Sequence, residues 1–182
     1  MIRLAEKIID NEDIENLKGW LDKTDIYTKG EETIMFEKEW SEWIGTDYSV
    51  FVNSGSSANL LVVLSMIHAN KLRNKKIIVP AVSWVTTVSP AMQLGLEPIL
   101  CDADKEQLMS ICKKYDVLLV EDCCEAYGSQ IGNKKLGTFG LASTFSFFYG
   151  HQMSTIEGGM VSTNDRELYN VMLSIRSHGW LR

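Results

Sequence analysis

The chain has 182 residues, 45% of them apolar, and a net charge of −6. That length suffices for one domain with a core, while the acidic balance and the lack of a basic run argue against a nucleic-acid or anionic-lipid surface. No stretch reaches the roughly 18 apolar residues of a membrane helix, and Cys101, Cys112, Cys123 and Cys124 lack the spacing of a zinc site or a disulfide framework.

The first residues, "MIRLAEKIIDNEDIENL", carry acids where a signal peptide would carry an apolar core, so a cytoplasmic protein is expected. Two amphipathic helices open the chain, over 12–21 and 32–44. In the second, "MFEKEWSEWIG" sets Phe36, Trp40, Trp43 and Ile44 at helical spacing, and Gly45 supplies a stop. "YSVFVN" reads as the first strand. "GSSANLLVVLSMIHANKL" starts on small residues and continues as a helix to about residue 72. "KIIVP" is a second strand, "SWVTTVSPAMQLG" a short helix closed by Gly95, "EPILCD" a third strand and "KEQLMSICKKY" a helix. "DVLLVED", "STFSFF" and "GGMVSTN" are three further strands. "DRELYNVMLSIRSHG" is a helix with Asp165 near its start and Gly179 near its stop.

Strands alternating with helices predict one domain over 1–182: a three-layer α/β/α fold around a mostly parallel sheet. The strands are near-continuous apolar runs, as expected when both faces are covered. Ligands of such sheets bind beyond the carboxyl ends of the strands. That rule selects four loops, 53–59, 80–84, 122–127 and 146–159. "NSGSSAN" offers free backbone N–H groups and a helix dipole to a phosphate, with Ser56 and Ser57 as further donors; a serine here can equally be a plain helix cap. Asp122 is either a charge facing a site or a cap. Trp84 is either a flat face for a ligand or core packing. "STFSFF" delivers Ser146 and then His151, which is either a plain loop residue or a base that works near neutral pH. A phosphate cradle, a flat aromatic, a carboxylate and a base on one edge match the needs of pyridoxal phosphate. Its phosphate needs donors, its ring needs a stacking face, and its ring nitrogen needs an acid partner. A base must also move protons beside the reacting nitrogen. No metal ligand set is expected.

"NSGSSAN", "VPAVSW", "EDCCEAYGS", "GTFG", "TFSFF" and "EGGMVSTND" resemble, in matching order over most of the chain, the DegT/DnrJ/EryC1/StrS sugar aminotransferases. These are fold-type I pyridoxal-phosphate enzymes. The resemblance implies that Gly55, Ser56, Ser57 and Ser146 hold the phosphate. It implies that Trp84 stacks on the ring, that Asp122 pairs with the ring nitrogen and that Glu125 lies near the ring hydroxyl. Ordinary members carry at the position of His151 the lysine that binds the cofactor covalently. Here no lysine follows Lys135, and a histidine has no primary amine for that bond. This is similar to the deoxysugar 3-dehydratase branch. It implies pyridoxal or pyridoxamine phosphate held non-covalently and His151 as the catalytic base. It also implies a nucleotide-linked 4-keto-6-deoxy sugar that loses its C3 hydroxyl, a homodimer, and a place in deoxysugar and lipopolysaccharide biosynthesis. A nucleotide-sugar aminotransferase and a catalytically inert fragment are the alternatives.

Two departures from the family pattern carry structural expectations. Family members continue into a small C-terminal domain after the region of "RSHGW". Between "EPILCDAD" and "KEQLMSICKKY" they also carry an additional strand and more helix, whereas here Asp104 runs straight into Lys105. The sheet is therefore expected to lack one strand, which leaves unpaired edges and uncovered apolar surface.

Overall fold

The computed structural model describes residues 8–25, 27–102 and 105–180. Helix α1, Asn11–Leu21, starts at a capping box in which the Asp10 carboxylate accepts the N–H groups of Glu12 and Asp13 and Asp13 reciprocates. Helix α2, Glu31–Ile44, stops at Gly45, which takes the left-handed conformation at φ 94°. There follow β1 (Tyr48–Val52), α3 (Gly55–His68), β2 (Lys76–Pro80), α4 (Val85–Gln93), β3 (Glu97–Cys101) and α5 (Lys105–Tyr115). The second half holds β4 (Val120–Asp122), β5 (Gln130–Ile131), β6 (Lys134–Lys135), β7 (Ala142–Ser146), β8 (Gly159–Thr163) and α6 (Arg166–Arg176).

The order matches the sequence expectation, with three differences. Helix α3 stops four residues early, because Asn70 turns to a positive φ. The strand expected from residue 116 begins only at Val120: Val117 and Leu118 are exposed, and the Val117 N–H still bonds back to Cys112 O of α5. The small β5–β6 hairpin around Gly132 was not expected, since its arms are too short to show any alternation.

The main sheet has the order β1-β8-β7-β4. Strands β1, β7 and β4 run one way, and β8 is antiparallel to both of its neighbours. The reversal has a plain cause. The connection from β7 to β8, residues 147–158, contains no helix to carry the chain back, so the chain must return beside the strand it left. Both ends of that connection thus lie at the carboxyl edge of β7.

Adjacent strand residues face opposite layers. Val50, Ala142 and Val161 pack on one face with Ala58, Leu61, Val62 and Met66 of α3 and with Leu168 and Met172 of α6. Phe145 and Met160 pack on the other face, with Phe147 and with Trp40 and Ile44 of α2. The three-layer architecture is therefore present. A buried polar lock joins α2, β1 and α6. Glu37 accepts the Phe51 N–H at 2.8 Å and an Arg176 Nη1–H, and Arg176 Nη1 also donates to Phe51 O at 3.0 Å.

Strands β2 and β3 form their own parallel pair and do not hydrogen-bond to β4. The sheet is cut where a strand was expected to be missing. The junction itself, residues 103–104, lies outside the described residues. Among the described residues no helix is long and apolar enough to cross a membrane.

Neighbouring acids at the end of β4 have opposite tasks. Glu121 folds the "GTFG" turn: its carboxylate accepts the N–H groups of Gly137 (2.8 Å), Phe139 (2.7 Å) and Gly140 (2.8 Å). Gly140 packs so closely on Leu119 that a Cβ would sit 2.4 Å from its carbonyl oxygen. Glu121→Gln replaces one acceptor oxygen by a donor that faces donors. It should cost about 1.5–3 kcal/mol, the worth of a hydrogen bond to a charged group, read as a lower midpoint in chemical denaturation.

Candidate functional site

Three strand ends meet at one level. Val52 of β1 lies opposite Gly159 of β8, and Gly159 lies opposite Ser146 of β7. From Val52 the chain turns through Asn53 and Ser54 into α3. This turn lies tightly on the sheet. A Cβ on Gly159 would come 2.2 Å from Ser54 O, and one on Gly55 would come 2.5 Å from Ser146 Cβ and 3.1 Å from Cys124 Sγ. Only glycine fits at either place.

One serine of the turn caps the helix. Ser54 is the cap: its Oγ accepts the Ser57 N–H at 3.1 Å. The helical ladder begins with Ala58 N–H to Ser54 O. The N–H groups of Gly55 and Ser56 thus remain outside it, as the first N–H groups of a helix must. They sit at the positive end of the helix dipole, beside Ser146.

Asp122 ends β4 opposite Thr144 of β7. No helix follows it, so it is not a cap. Its Oδ2 accepts from Asn59 Nδ2 at 3.0 Å and from Thr87 Oγ1 at 2.7 Å, and its Oδ1 accepts a longer bond from Cys124 N–H at 3.3 Å. Asn59 also donates to Thr86 O at 3.2 Å and accepts from Thr144 Oγ1 at 2.6 Å.

His151 does not behave as a plain loop residue. Its side chain is 14% exposed, with Nδ1 3.0 Å from Glu125 Oε1. The contact does not have the geometry of a hydrogen bond. The ring meets Phe148 edge-on at 5.9 Å, and the His151 N–H donates to Phe148 O at 3.0 Å.

Trp84 is 76% exposed, which removes core packing as its explanation. It occupies the N-cap of α4, a few residues before the Thr86 and Thr87 that bind Asn59 and Asp122. Gly55, Ser146, Asp122, His151 and Glu125 thus gather at one sheet edge, with Trp84 at the helix that abuts it. Glu125, expected near the ring hydroxyl, has His151 as its near neighbour.

Four contributors escaped the sequence reading. Asn59 carried a signal, being the one amide in an apolar helix run just after the glycine–serine turn. Thr87 and Thr144 carried none, since threonine is ordinary in a helix start and a strand. Tyr127 donates to Ser146 O, and burial pushes its phenol above the usual range. Burial, with the Asp122 carboxylate beside it, also raises the Cys124 thiol. A thiol held protonated packs rather than reacts. Among the described residues no group of acids, histidines and cysteines could hold a metal ion.

The glycine fit is directly testable. Gly159→Ala forces a side chain against backbone and should destabilise by about 1–3 kcal/mol, the usual cost of overpacking. Gly19→Ala, inside α1 with nothing within 4 Å of the new carbon, should stabilise by about 0.5–1 kcal/mol. Urea denaturation of the two variants checks both signs.

An open mixed sheet between helices, with strands and helices in this order, is the large-domain architecture of pyridoxal-phosphate transferases. The chain belongs to the DegT/DnrJ/EryC1/StrS aminotransferase family, whose model matches residues 7–110 and 103–182. It is 35% identical to GDP-4-keto-6-deoxy-D-mannose 3-dehydratase of Yersinia pseudotuberculosis, over 98% of this chain and 54% of that protein. It is 36% identical to the enzyme of that name from Escherichia coli O55:H7, over 98% and 55%. The structure superposes with a TM-score of 0.91 on E. coli GDP-4-keto-6-deoxy-D-mannose-3-dehydratase with bound hydrated PLP, at 33% identity over 99% of this chain and 55% of that one. The chain spans about half the length of the curated relatives it matches. The two family matches overlap at 103–110, and the Yersinia alignment runs over 215 positions, more than the 182 residues present. The alignment length shows that this chain is shortened relative to that protein, and the overlap of the family matches puts a break in the family pattern at 103–110, between β3 and β4.

Proposed function

We propose that this chain carries the cofactor site and the catalytic base of a cytoplasmic, homodimeric dehydratase that uses pyridoxal or pyridoxamine phosphate. Its substrate is a nucleotide-linked 4-keto-6-deoxy sugar, which loses its C3 hydroxyl, in deoxysugar and lipopolysaccharide biosynthesis. The observation that carries this reading is His151: a histidine set against a carboxylate, at the position where the family resemblance places a lysine. The activity of the two 3-dehydratases that this chain is similar to supports the same choice.

The residues present fit the cofactor. Gly55, with no Cβ, lets the start of α3 lie directly against Ser146. There the N–H groups of Gly55 and Ser56 and the hydroxyls of Ser57 and Ser146 would hold the phosphate. Trp84 offers an exposed face to the ring. Asp122 presents a carboxylate to the ring nitrogen, and Glu125 stands beside His151. When bound, the cofactor supplies an electron sink for the carbon next to its reacting nitrogen. With Nδ1 of His151 turned toward Glu125, Nε2 would be the nitrogen that takes up a proton and returns it to the departing C3 hydroxyl, which leaves as water.

Absorbance titration with pyridoxal and pyridoxamine phosphate tests the binding half. Wild type should bind both, and borohydride should leave no cofactor mass on the peptide that holds His151. His151→Lys should gain that mass, and His151→Asn should leave affinity nearly unchanged. A version of the chain that carries the additional strand and the C-terminal domain implied by the family resemblance tests the chemistry. It should remove the C3 hydroxyl and lose that activity with His151→Asn. Transamination with the hydroxyl retained would establish the aminotransferase instead. If His151→Lys binds the cofactor and gains no mass, residue 151 does not face the reactive carbon.

Phosphate recognition has its own check. Replacing both Ser56 and Ser57 by Ala should weaken pyridoxal-phosphate binding by roughly 1.5–3 kcal/mol for each donor lost to a charged acceptor. Unchanged affinity would reduce the turn to a helix start.

A further inference from the structure

We infer that Asn59 is the positioning residue of the site: it fixes which oxygen of Asp122 faces a bound ring, and it sets the spacing between that oxygen and the phosphate cradle. The inference rests on the cofactor reading above and extends it to residues for which that reading has no role.

The hydrogen bonds around Asp122 are unequal. Oδ2 takes two, from Asn59 Nδ2 and Thr87 Oγ1, both at 3.0 Å or less, whereas Oδ1 takes a long bond from Cys124 N–H, and the Cys124 thiol also hydrogen-bonds to the carboxylate. The two short bonds from α3 and α4 both go to Oδ2, so Oδ1 is the oxygen those helices leave to a ligand donor. Asn59 can do this in only one orientation. Its carbonyl oxygen accepts from Thr144 Oγ1, and its two N–H groups go to Thr86 O and Asp122 Oδ2. Flipping the amide would aim its oxygen at a carboxylate and a carbonyl. At 6% exposure, water cannot relieve that mismatch.

The position of Asn59 in the fold is equally specific. Gly55 and Asn59 lie four residues apart on one face of α3, and each meets β7. Gly55 lies against Ser146, and Asn59 bonds Thr144, two residues back along the strand. Four residues of helix rise about 6 Å, and two residues of strand span about 6.6 Å. The two repeats match, so α3 and β7 lock in register at both ends of the site. One helix turn then separates the phosphate donors from the residue that aims Asp122. A ligand with an anionic phosphate at one end and a cationic ring nitrogen at the other fits this arrangement.

The test compares pyridoxal phosphate with its 1-deaza analogue, which keeps the phosphate and the aldehyde but has no ring nitrogen. Fluorescence or absorbance titration gives both affinities for wild type, Asn59→Ala and Thr87→Val, and circular dichroism checks the fold. Wild type should prefer pyridoxal phosphate. Asn59→Ala should weaken pyridoxal phosphate about tenfold, the worth of one hydrogen bond to a charged group, and leave the analogue within about twofold. Thr87→Val, which removes the other donor to Oδ2, should reduce the same preference. It also decides the matter if Asn59→Ala does not fold. Equal losses for both ligands would make Asn59 a packing residue and overturn the inference. An unchanged preference in the folded variants would overturn it too, since Asp122 would then hold its own orientation. A wild type that binds both ligands equally overturns the pairing of Asp122 with the ring nitrogen while leaving the phosphate cradle standing. A wild type that binds neither overturns the cofactor reading itself.

Discussion

The site depends on a place where no side chain fits. At Gly159 the first residue of β8 passes so close to Ser54 O that a single added carbon would overlap it. That approach lets the turn after β1 lie flat across the ends of β8 and β7, and so aims the start of α3 at Ser146. With any other residue at Gly159 the turn would have to lift, and the N–H groups of Gly55 and Ser56 would leave the sheet edge. Gly55 repeats the constraint one layer out, against Ser146 and Cys124. Two hydrogen atoms in place of side chains thus bring the β1, β4 and β7 loops within reach of one another.

The reversal of β8 follows from the same economy of space. A helical crossover after β7 would have carried the chain to the opposite edge before the next strand. The loop 147–158 turns back at once and stays at the carboxyl edge, so all of it, His151 included, shares that edge with Asp122 and Gly55. The loop is tied down near its start: Phe147 N–H bonds Gly158 O, Thr155 N–H bonds Phe147 O, and the His151 N–H bonds Phe148 O. Phe147 is itself buried against α2. The histidine is therefore held by a loop rooted in the aromatic core, and its side chain is shielded accordingly.

Much of this was legible in the sequence because local physics and tertiary structure agree. The helix stop at Gly45, the Asp165 cap of α6 and the buried runs of β7 and β8 are each specified within a few residues. Asp122 and His151 stood out as polar groups at the ends of apolar strands. What stayed hidden is what only packing decides. Glu121 and Asp122 are adjacent acids at a strand end, and the sequence cannot say which faces the "GTFG" turn and which the site. The direction of β8 depends on the absence of a helix in a loop whose composition does not forbid one. Asn59, Thr87 and Thr144 become a network only when α3, α4 and β7 are in register.

The cut in the sheet bears unevenly on the site. The cradle, Asp122, His151 and Glu125 all rest on the four-stranded half and on α3, which packs on β7 and β8. Trp84 belongs to the other part, between β2 and α4, and no strand ladder ties β2 to β4. Two polar links cross near the site: Asn59 Nδ2 to Thr86 O and Thr87 Oγ1 to Asp122 Oδ2. Ala91 and Leu96 add apolar packing against the α3 core. In a sheet with the missing strand present, backbone hydrogen bonds would hold β2 in line with β4. Here side chains have taken over that duty, and two of them belong to the network that orients Asp122. Loosening the β2–β3 unit would therefore disturb the carboxylate as well as the exposed Trp84, while the Gly55–Ser57 turn, packed on Ser146 and Gly159 of the other half, would keep its shape.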